Sequence, residues 1–525
     1  MRLTTSFSSS ALLRHGASRR TTALPLHRHH HGFIQQQQQR RRSLLTLAIE
    51  TSCDDTCVAI LEKCASGAAR LHFDKKFTSD NRADGGVNPK VAVGVHTQKL
   101  SSLVQEAMQA LPLWTDTTGG GKEPPLPVRG PRTGEYRLRS RPDFISVTRG
   151  PGMTSNLAVG INTAKGLAVA WEIPVLGVHH MQAHALTPML VDALAAGAAD
   201  PSSPRPKEKT FPFLTLLVSG GHTQLVLSHS LTSHSILATA PSTAIGNMLD
   251  QAARIILPPS VTSSAANVMY GALLEQFAFP PSSTTTPTIK YNYTPPINRA
   301  ADLTPFSVPE YPDWHITPPH AQERTLAYSF TGIGSQVQTA LARNPDMSIP
   351  ERQMLARGCM QVAFEHLISV ALLSLTKPPK KKPSLVTPTT KDILDRQVKM
   401  LVISGGVASN GFLRHIVRST LDARGFKGIE VVAPPVRLCT DNAAMIAWAG
   451  MEMWEAGWRT GLGFEPRRKW SVDEETTGGG DDKGGLLGGY FQEGTQMLER
   501  KGEKVDEVRE EYREKLREVD SRVFV

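Results

Sequence analysis

Twice along the chain an apolar run turns through a short polar loop and comes straight back as a second apolar run. LLTLAIE, TSCDDT and CVAILEK make the first unit, over 44–63, and FPFLTLLVSGGHTQLVLSHS makes the second, over 211–230. Runs of this length around a tight turn read as antiparallel hairpins. Each hairpin heads a stretch in which short apolar runs alternate with helix-period segments. A chain that does this twice reads as an internal duplication of one α/β unit.

The two turns differ in content. The first presents Asp54 and Asp55 beside hydroxyls. Acidic side chains there can serve as acid or base or hold a metal-bound water, and they are also ordinary solvated turn formers. The second is Ser219-Gly220-Gly221-His222-Thr223, where glycine lets backbone N–H groups approach a phosphate closely. The pattern fits an α/β, duplicated actin/hexokinase-like fold of two lobes, with the hairpin turns facing each other across an inter-lobe nucleotide cleft. The expected lobes are 44–207 and 208–465.

Between the hairpins the periodicity predicts a turn and then a helix over 84–111, the helix running through VAVGVHTQKLSSLVQEAMQAL, and a strand, Gly-Pro-Gly loop and helix over 143–171. Helices are expected within 239–277, at 327–343 and at 350–376. KMLVISGGVASN opens a strand, a Gly-Gly loop and a helix, with Ser409 and Asn410 able to hydrogen-bond a sugar or base. A strand ending at Pro434-Pro435 precedes a helix that Thr440 or Asp441 can cap. Residues 115–142, 187–210, 278–320 and 377–391 read as loops, a linker or insertions, and 466–525 as a charged peripheral tail.

EIPVLGVHHMQAHAL places His180 and His184 four residues apart on a helix that follows a buried strand. That spacing puts both imidazoles on one face, where they can share a metal ion. Met181 stands where a metalloprotease helix needs its glutamate, so a metal here has no adjacent hydrolytic base. A packed histidine pair has the same spacing. The lone His96 reads as a packed or exposed residue.

The net charge of +10 suggests nucleic acid, but its location weakens that reading. Residues 1–43 hold eight arginines, five histidines and no acid; without them the charge is about +2. Their Arg- and Ser-rich composition is that of a mitochondrial transit peptide, or of a basic tail. Five cysteines, an odd and small number, suit a reducing compartment. No uninterrupted apolar run approaches the ~20 residues a bilayer crossing needs, so no membrane partner is expected.

In chain order, IETSCDDT, VHHMQAH, LLVSGGHTQL, YSFTG, ISGGVASN and LCTDNAAMIAWAG resemble the motifs of the tRNA N6-threonylcarbamoyladenosine synthases, the TsaD-like transferases, over 44–457. The resemblance implies the duplicated actin-like fold. It also implies transfer of threonylcarbamoyl from threonylcarbamoyl-AMP to N6 of adenosine 37 in tRNAs reading ANN codons. One divalent metal, iron or zinc, would sit on His180, His184 and Asp441. Substrate contacts would be Leu217, Val218, Ser219, Gly220, Gly221, Asp250, Gly271, Glu275, Ser409, Asn410 and Thr440. Asp54 would accept the proton. The implied partners are tRNA, a separate synthase that supplies the donor, and a second copy of the chain, in the mitochondrial matrix. Gln182 departs from the glutamate of bacterial members, and PPSVTSSAANVMYG replaces a Pro-Gly-Gly turn after Asp250. A metallopeptidase, an actin-fold kinase or ATPase, and a non-catalytic tRNA binder are the competing readings.

Overall fold

The computed structural model describes residues 43–81, 84, 86–115, 124–131, 133–199, 211–263, 270–280, 291–319, 326–376, 398–473 and 485–492. The expected transit segment, apart from Ser43, and the 377–391 insertion lie outside them.

β1 (Leu44–Glu50), β2 (Asp55–Lys63) and β3 (Ala69–Thr78) form an antiparallel meander. After α1 (Pro89–Ala110) comes a small ribbon of β4 (Leu126–Arg129) and β5 (Tyr136–Arg139). β6 (Phe144–Gly150), α2 (Thr154–Trp171), β7 (Val175–His179) and α3 (His180–Ala198) complete the unit. β6 lies parallel to β1 and β7 parallel to β6, giving the order β3-β2-β1-β6-β7.

The second half repeats this. β8 (Phe213–Val218), β9 (Thr223–Ser228) and β10 (His234–Thr239) form the meander, followed by α4 (Ile245–Ile256) and α5 (Tyr270–Ala278). A ribbon of β11 (Phe306–Val308) and β12 (Tyr311–Ile316) leads to α6 (Thr331–Arg343) and α7 (Ile349–Leu375). Then come β13 (Met400–Ser404), α8 (Gly411–Ala423), β14 (Glu430–Val432) and α9 (Ala443–Glu455). The order β10-β9-β8-β13-β14, with the same strand directions, copies the first sheet.

Central strands are covered on both faces, which is why β1, β8 and β13 read as largely apolar runs and why β6 is buried along its whole length. On one face of the first sheet Leu47, Ile49 and Ile60 meet Leu100, Leu103 and Ile161 of α1 and α2. On its other face Ala48, Leu61 and Leu176 meet Leu186 and Leu190 of α3 and Met445 and Trp448 of α9, and Met400 and Val402 of the second sheet join them. α9 is apolar all round as far as Met451 because neighbours surround it there. The remaining face of the second sheet takes α4 to α8. α7, at 27 residues, has the length and composition of a membrane span, but 78% of its most apolar window is buried among these helices.

Several expectations change. Residues 115–142 contain the β4–β5 ribbon, whose Leu126 and Val128 pack under α1. Strands of four residues are too short to show a period. The expected linker at 187–210 is helical as far as Ala198, and Pro188 lies inside α3. Residues 278–320 include β11 and β12. β3 and β10 were not expected as strands. β3 is an edge strand with a largely exposed, charged sequence, so its alternation is weak. The tail expected to be peripheral from 466 is packed where it is described: Trp470, Leu486 and Tyr490 are buried, and β15 (Trp458–Arg459) pairs with β16 (Phe491–Gln492).

Candidate metal and nucleotide site

β7 delivers His179 and α3 starts at His180, so one turn of helix carries His180 and His184 into the interior. Asp441 arrives from the loop ahead of α9. There the cap is neither of the two expected residues: Asn442 Oδ1 accepts from the Met445 N–H at 2.8 Å, and Thr440 and Asp441 do not cap. The Asp441 carboxylate therefore stays free of the helix. Its Oδ1 lies 3.1 Å from His184 Nε2 and 3.5 Å from His180 Nε2. The three ligand atoms fall within 4.8 Å of one another.

Glu50, the last residue of β1, is fully buried. A buried carboxylate costs several kcal/mol unless its oxygens are satisfied. Here Oε1 accepts from the Ser52 N–H at 2.5 Å, and Oε2 accepts from the Thr148 hydroxyl and faces His180 Nδ1 at 3.2 Å. That contact keeps a proton on His180 Nδ1 and leaves Nε2 turned toward Asp441. Ser404 Oγ stands 3.4 Å from His184 Nδ1. Burial pushes the His180 pKa down, but the Asp441 and Glu50 carboxylates outweigh it and raise it to about 9. Burial likewise opposes the Asp441 charge, yet His180 and His184 hold its carboxyl well below the usual range. The field at this point attracts a positive charge. Two imidazole nitrogens and a carboxylate oxygen suit a borderline cation such as zinc or iron, and three protein ligands leave coordination positions open. The residues fit a metal.

The acidic turn lies alongside. The Cys53 carbonyl accepts from His96 Nε2 at 2.9 Å and from Asn156 Nδ2 at 2.6 Å, which fixes the peptide before Asp54. Burial, then the Asp441 charge, raises the Asp54 pKa above its ordinary value. Burial raises Asp55 to about 6 against the pull of Lys76, whose Nζ lies 3.0 Å from Asp55 Oδ2 and 2.9 Å from Thr440 Oγ1.

A cavity of about 1050 Å³ opens beside Lys76 and Thr440, and Asp54, Asp55, His180, His184 and Asp441 are not among the residues that line it. Of the expected substrate contacts it is lined by Gly220, Asp250, Gly271, Glu275, Ser409, Asn410 and Thr440, together with Lys76, Tyr291, Arg414 and Arg437. Leu217 and Val218 are buried in β8 and do not line it. Ser219 Oγ accepts from the Gly221 and His222 N–H groups at 3.3 and 3.0 Å, which shapes the turn. Asp250 Oδ1 accepts from the Gly271 N–H at 2.8 Å, and Glu275 Oε1 from the Phe412 N–H and the Tyr291 hydroxyl at 2.9 and 2.6 Å. The Asn410 amide oxygen caps α8 by accepting from the Leu413 N–H at 3.0 Å, and the Ser409 hydroxyl donates to the Gly406 carbonyl at 2.7 Å. These two offer a ligand only the groups left over.

Residues 139–448 match the model of the TsaD family, tRNA N6-adenosine threonylcarbamoyltransferase. The chain is 33% identical over 445 residues to the mitochondrial tRNA N6-adenosine threonylcarbamoyltransferase of Schizosaccharomyces pombe, covering 83% of this chain and 88% of that protein. It is 30% identical over 434 residues to the Rhizobium leguminosarum enzyme of that name, covering 82% and 94%. The chain belongs to the tRNA N6-adenosine threonylcarbamoyltransferase family. Among solved structures it is also similar to full-length HypF in a phosphate- and nucleotide-bound form, at 10% identity and a TM-score of 0.36, covering 78% of this chain and 55% of that one.

In this family member the Gln182 side-chain amide bonds to groups other than His180, His184 and Asp441. Its Nε2 donates to the Leu231 carbonyl at 2.8 Å. Sequence reasoning missed Glu50, Ser404 and Lys76. Glu50 had a signal, because a lone acid at the end of an otherwise apolar strand needs a buried partner. Lys76 sits on a strand that was not recognised, and nothing near it in sequence marks the cavity.

Proposed function

We propose that this chain transfers the threonylcarbamoyl group from threonylcarbamoyl-AMP to N6 of adenosine 37 in mitochondrial tRNAs reading ANN codons. The carrying observation is the convergence of His180, His184 and Asp441 beside a cavity bordered by the Gly220 and Gly406 turns. We read the duplicated sheets as the two lobes, 44–207 and 208–465, of an actin/hexokinase-like fold with the nucleotide between them.

The donor is a mixed carbamic–phosphoric anhydride, already activated, with AMP as leaving group. The exocyclic adenine amine is a weak nucleophile, so the site must hold amine and carbonyl in line. A divalent cation, zinc or iron, held by the two histidines and Asp441 would polarise donor oxygens. The backbone at Gly220, Gly221 and Gly406 cradles the phosphate, and Asp250, Gly271, Glu275, Ser409, Asn410 and Thr440 border the adenosine and the transferred group. N6 bonds to the carbamoyl carbon, the bond from that carbon to the phosphate oxygen breaks, and AMP leaves with the electron pair. Asp54 accepts the N6 proton, and its raised pKa makes it a better base than an ordinary carboxylate.

The donor comes from a separate synthase, the chain acts as a homodimer, and residues 1–43 direct it to the matrix. A metallopeptidase is disfavoured because the buried Met181 occupies the place of its base. The deciding measurement is mass spectrometry of nucleosides from mitochondrial tRNA after deletion of the gene. Loss of threonylcarbamoyladenosine is expected, and an unchanged level sinks the reading.

A further inference from the structure

His179 ends β7, immediately ahead of the two-histidine helix, and is fully buried. Its Nε2 lies 3.1 Å from the Trp470 carbonyl oxygen. A carbonyl only accepts, so Nε2 carries the proton and Nδ1 keeps a lone pair. That lone pair accepts from the backbone N–H groups of Met181 and Gln182, at 3.2 and 3.3 Å. These are the second and third residues of α3, whose N–H groups have no acceptor within the helix. The imidazole fills the N-cap role that a Ser, Thr, Asp or Asn oxygen usually fills, with the extended backbone a cap requires (φ −82, ψ 120). Both ring nitrogens are occupied, so His179 is not a third histidine ligand.

The carbonyl that sets this tautomer belongs to the segment following α9, which runs back beside β7. The Trp470 ring lies 4.5 Å from the His179 ring, and its Nε1 donates to the Gly485 carbonyl at 2.7 Å. Thr460 Oγ1 accepts from the Gly177 N–H at 3.0 Å, and the Tyr490 hydroxyl donates to the Gly177 carbonyl. The Arg467 N–H donates to the Arg149 carbonyl at 2.8 Å. The strand that delivers the histidines is thus held by Thr460, Trp470 and Tyr490.

We infer that His179 is a positioning residue for the metal site. With the Trp470 carbonyl it fixes the first turn of α3, and so the directions of His180 and His184, tying the C-terminal segment to the metal ligands. The inference rests on the metal reading above, but the cap itself does not.

Two measurements on the full chain test it. Nitrogen-15 labelling of histidine should show His179 as the neutral tautomer with the proton on Nε2, with or without metal. A proton on Nδ1, or on both nitrogens, overturns the cap. Zinc affinity is then measured by chelator competition for the native chain, His179→Asn, His179→Leu and His179→Ala, with helix content checked by circular dichroism. The Asn side-chain oxygen reaches about where Nδ1 sits, so H179N should stay within about twofold of the native chain. H179L and H179A should lose about five- to tenfold, the size of one lost cap. Equal affinity in all four chains, or equal loss in H179N and in whichever non-capping variant folds, overturns the positioning role. Absence of zinc binding in the native chain would count against the metal reading instead, and the tautomer still decides the cap.

Discussion

The turn after β1 and the turn after β8 hold the same place in two copies of one sheet, yet they differ in burial and chemistry. Thr51 and Ser52 are buried, whereas Gly220 and Gly221 are exposed. The backbone copies itself closely. Each turn is pressed by glycines of its neighbours: a Cβ on Gly152 would come within 2.8 Å of Ser52, and one on Gly246 within 2.7 Å of the Ser219 carbonyl oxygen. A glycine of positive φ stands at the end of each parallel strand beside the hairpin: Gly150 is the last residue of β6, and Gly405 directly follows β13. The side chains then diverge. One turn gathers Glu50, Asp54 and Asp55 near the histidines. The other has open space where a Cβ would stand on Gly220 and Gly221. Duplication supplied two equivalent cradles, and substitution made one acidic and left one bare.

If the acidic turn does the proton chemistry and the glycine turn only holds phosphate, Asp54→Asn should cause the largest loss. We expect turnover to fall about 10²- to 10⁴-fold with donor affinity within about threefold. Single-turnover transfer and equilibrium donor binding, measured side by side, separate the two. Near-normal turnover removes Asp54 from the mechanism. Glu50→Gln comes next. Outer-shell partners of metal ligands are worth about 10- to 100-fold in affinity, and E50Q should lose within that range while remaining folded. Unchanged metal retention against a chelator would leave Glu50 as a structural acid only.

The glycine side should answer differently. Gly405→Ala puts a Cβ 2.4 Å from the Val218 carbonyl oxygen at a φ of +99, and the clash is with backbone that cannot swing away. A loss of about 3 kcal/mol or more is expected, read from denaturant unfolding. Gly220→Ala meets nothing within 4 Å, so its stability should move by less than about 1 kcal/mol while donor affinity drops several-fold. Similar stability losses in the two variants would mean that the second turn is built for packing and not for a ligand.

This contrast also explains what could be read in advance. The hairpins, the histidine pair and the glycine turns are local patterns whose partners lie within a few residues, so the chain displays them. Asp441 lies 257 residues beyond His184, and spacing alone gave no reason to join them; the resemblance of the motifs did. The cap of the helix that follows falls on Asn442 and not on Thr440 or Asp441, because all three are competent caps and only packing selects Asn442. The 466–525 segment reads as a charged peripheral tail, although Trp470 and Tyr490 within it cover the strand that carries the histidines. Single aromatics in a polar stretch have no periodicity to reveal the face they will cover.

The smallest effect concerns Asp250, a carboxylate on the glycine side of the cavity. α4 carries it, and Gly246 of the same helix supports the glycine turn. Burial pushes its pKa up to about 6, against the opposing pull of the Gly271 N–H and Arg254. An unfolded Asp titrates near ~3.9, so between about pH 4 and 6 the folded chain holds this proton more tightly than the unfolded chain does. The stabilisation is therefore full below about pH 4 and is lost as the pH rises through about 6. Asp250→Asn keeps an oxygen for the Gly271 N–H and removes the titration. Thermal unfolding of the two chains should give differences that do not vary below pH 4 and that shift toward greater relative stability of D250N by a few degrees at pH 7. A constant difference across that range would mean that Asp250 is solvated like an ordinary surface acid. The cavity wall beside the glycine turn would then be as wet as the turn itself, and the contrast between a dry acidic cradle and an open glycine one would extend to the whole of the second side.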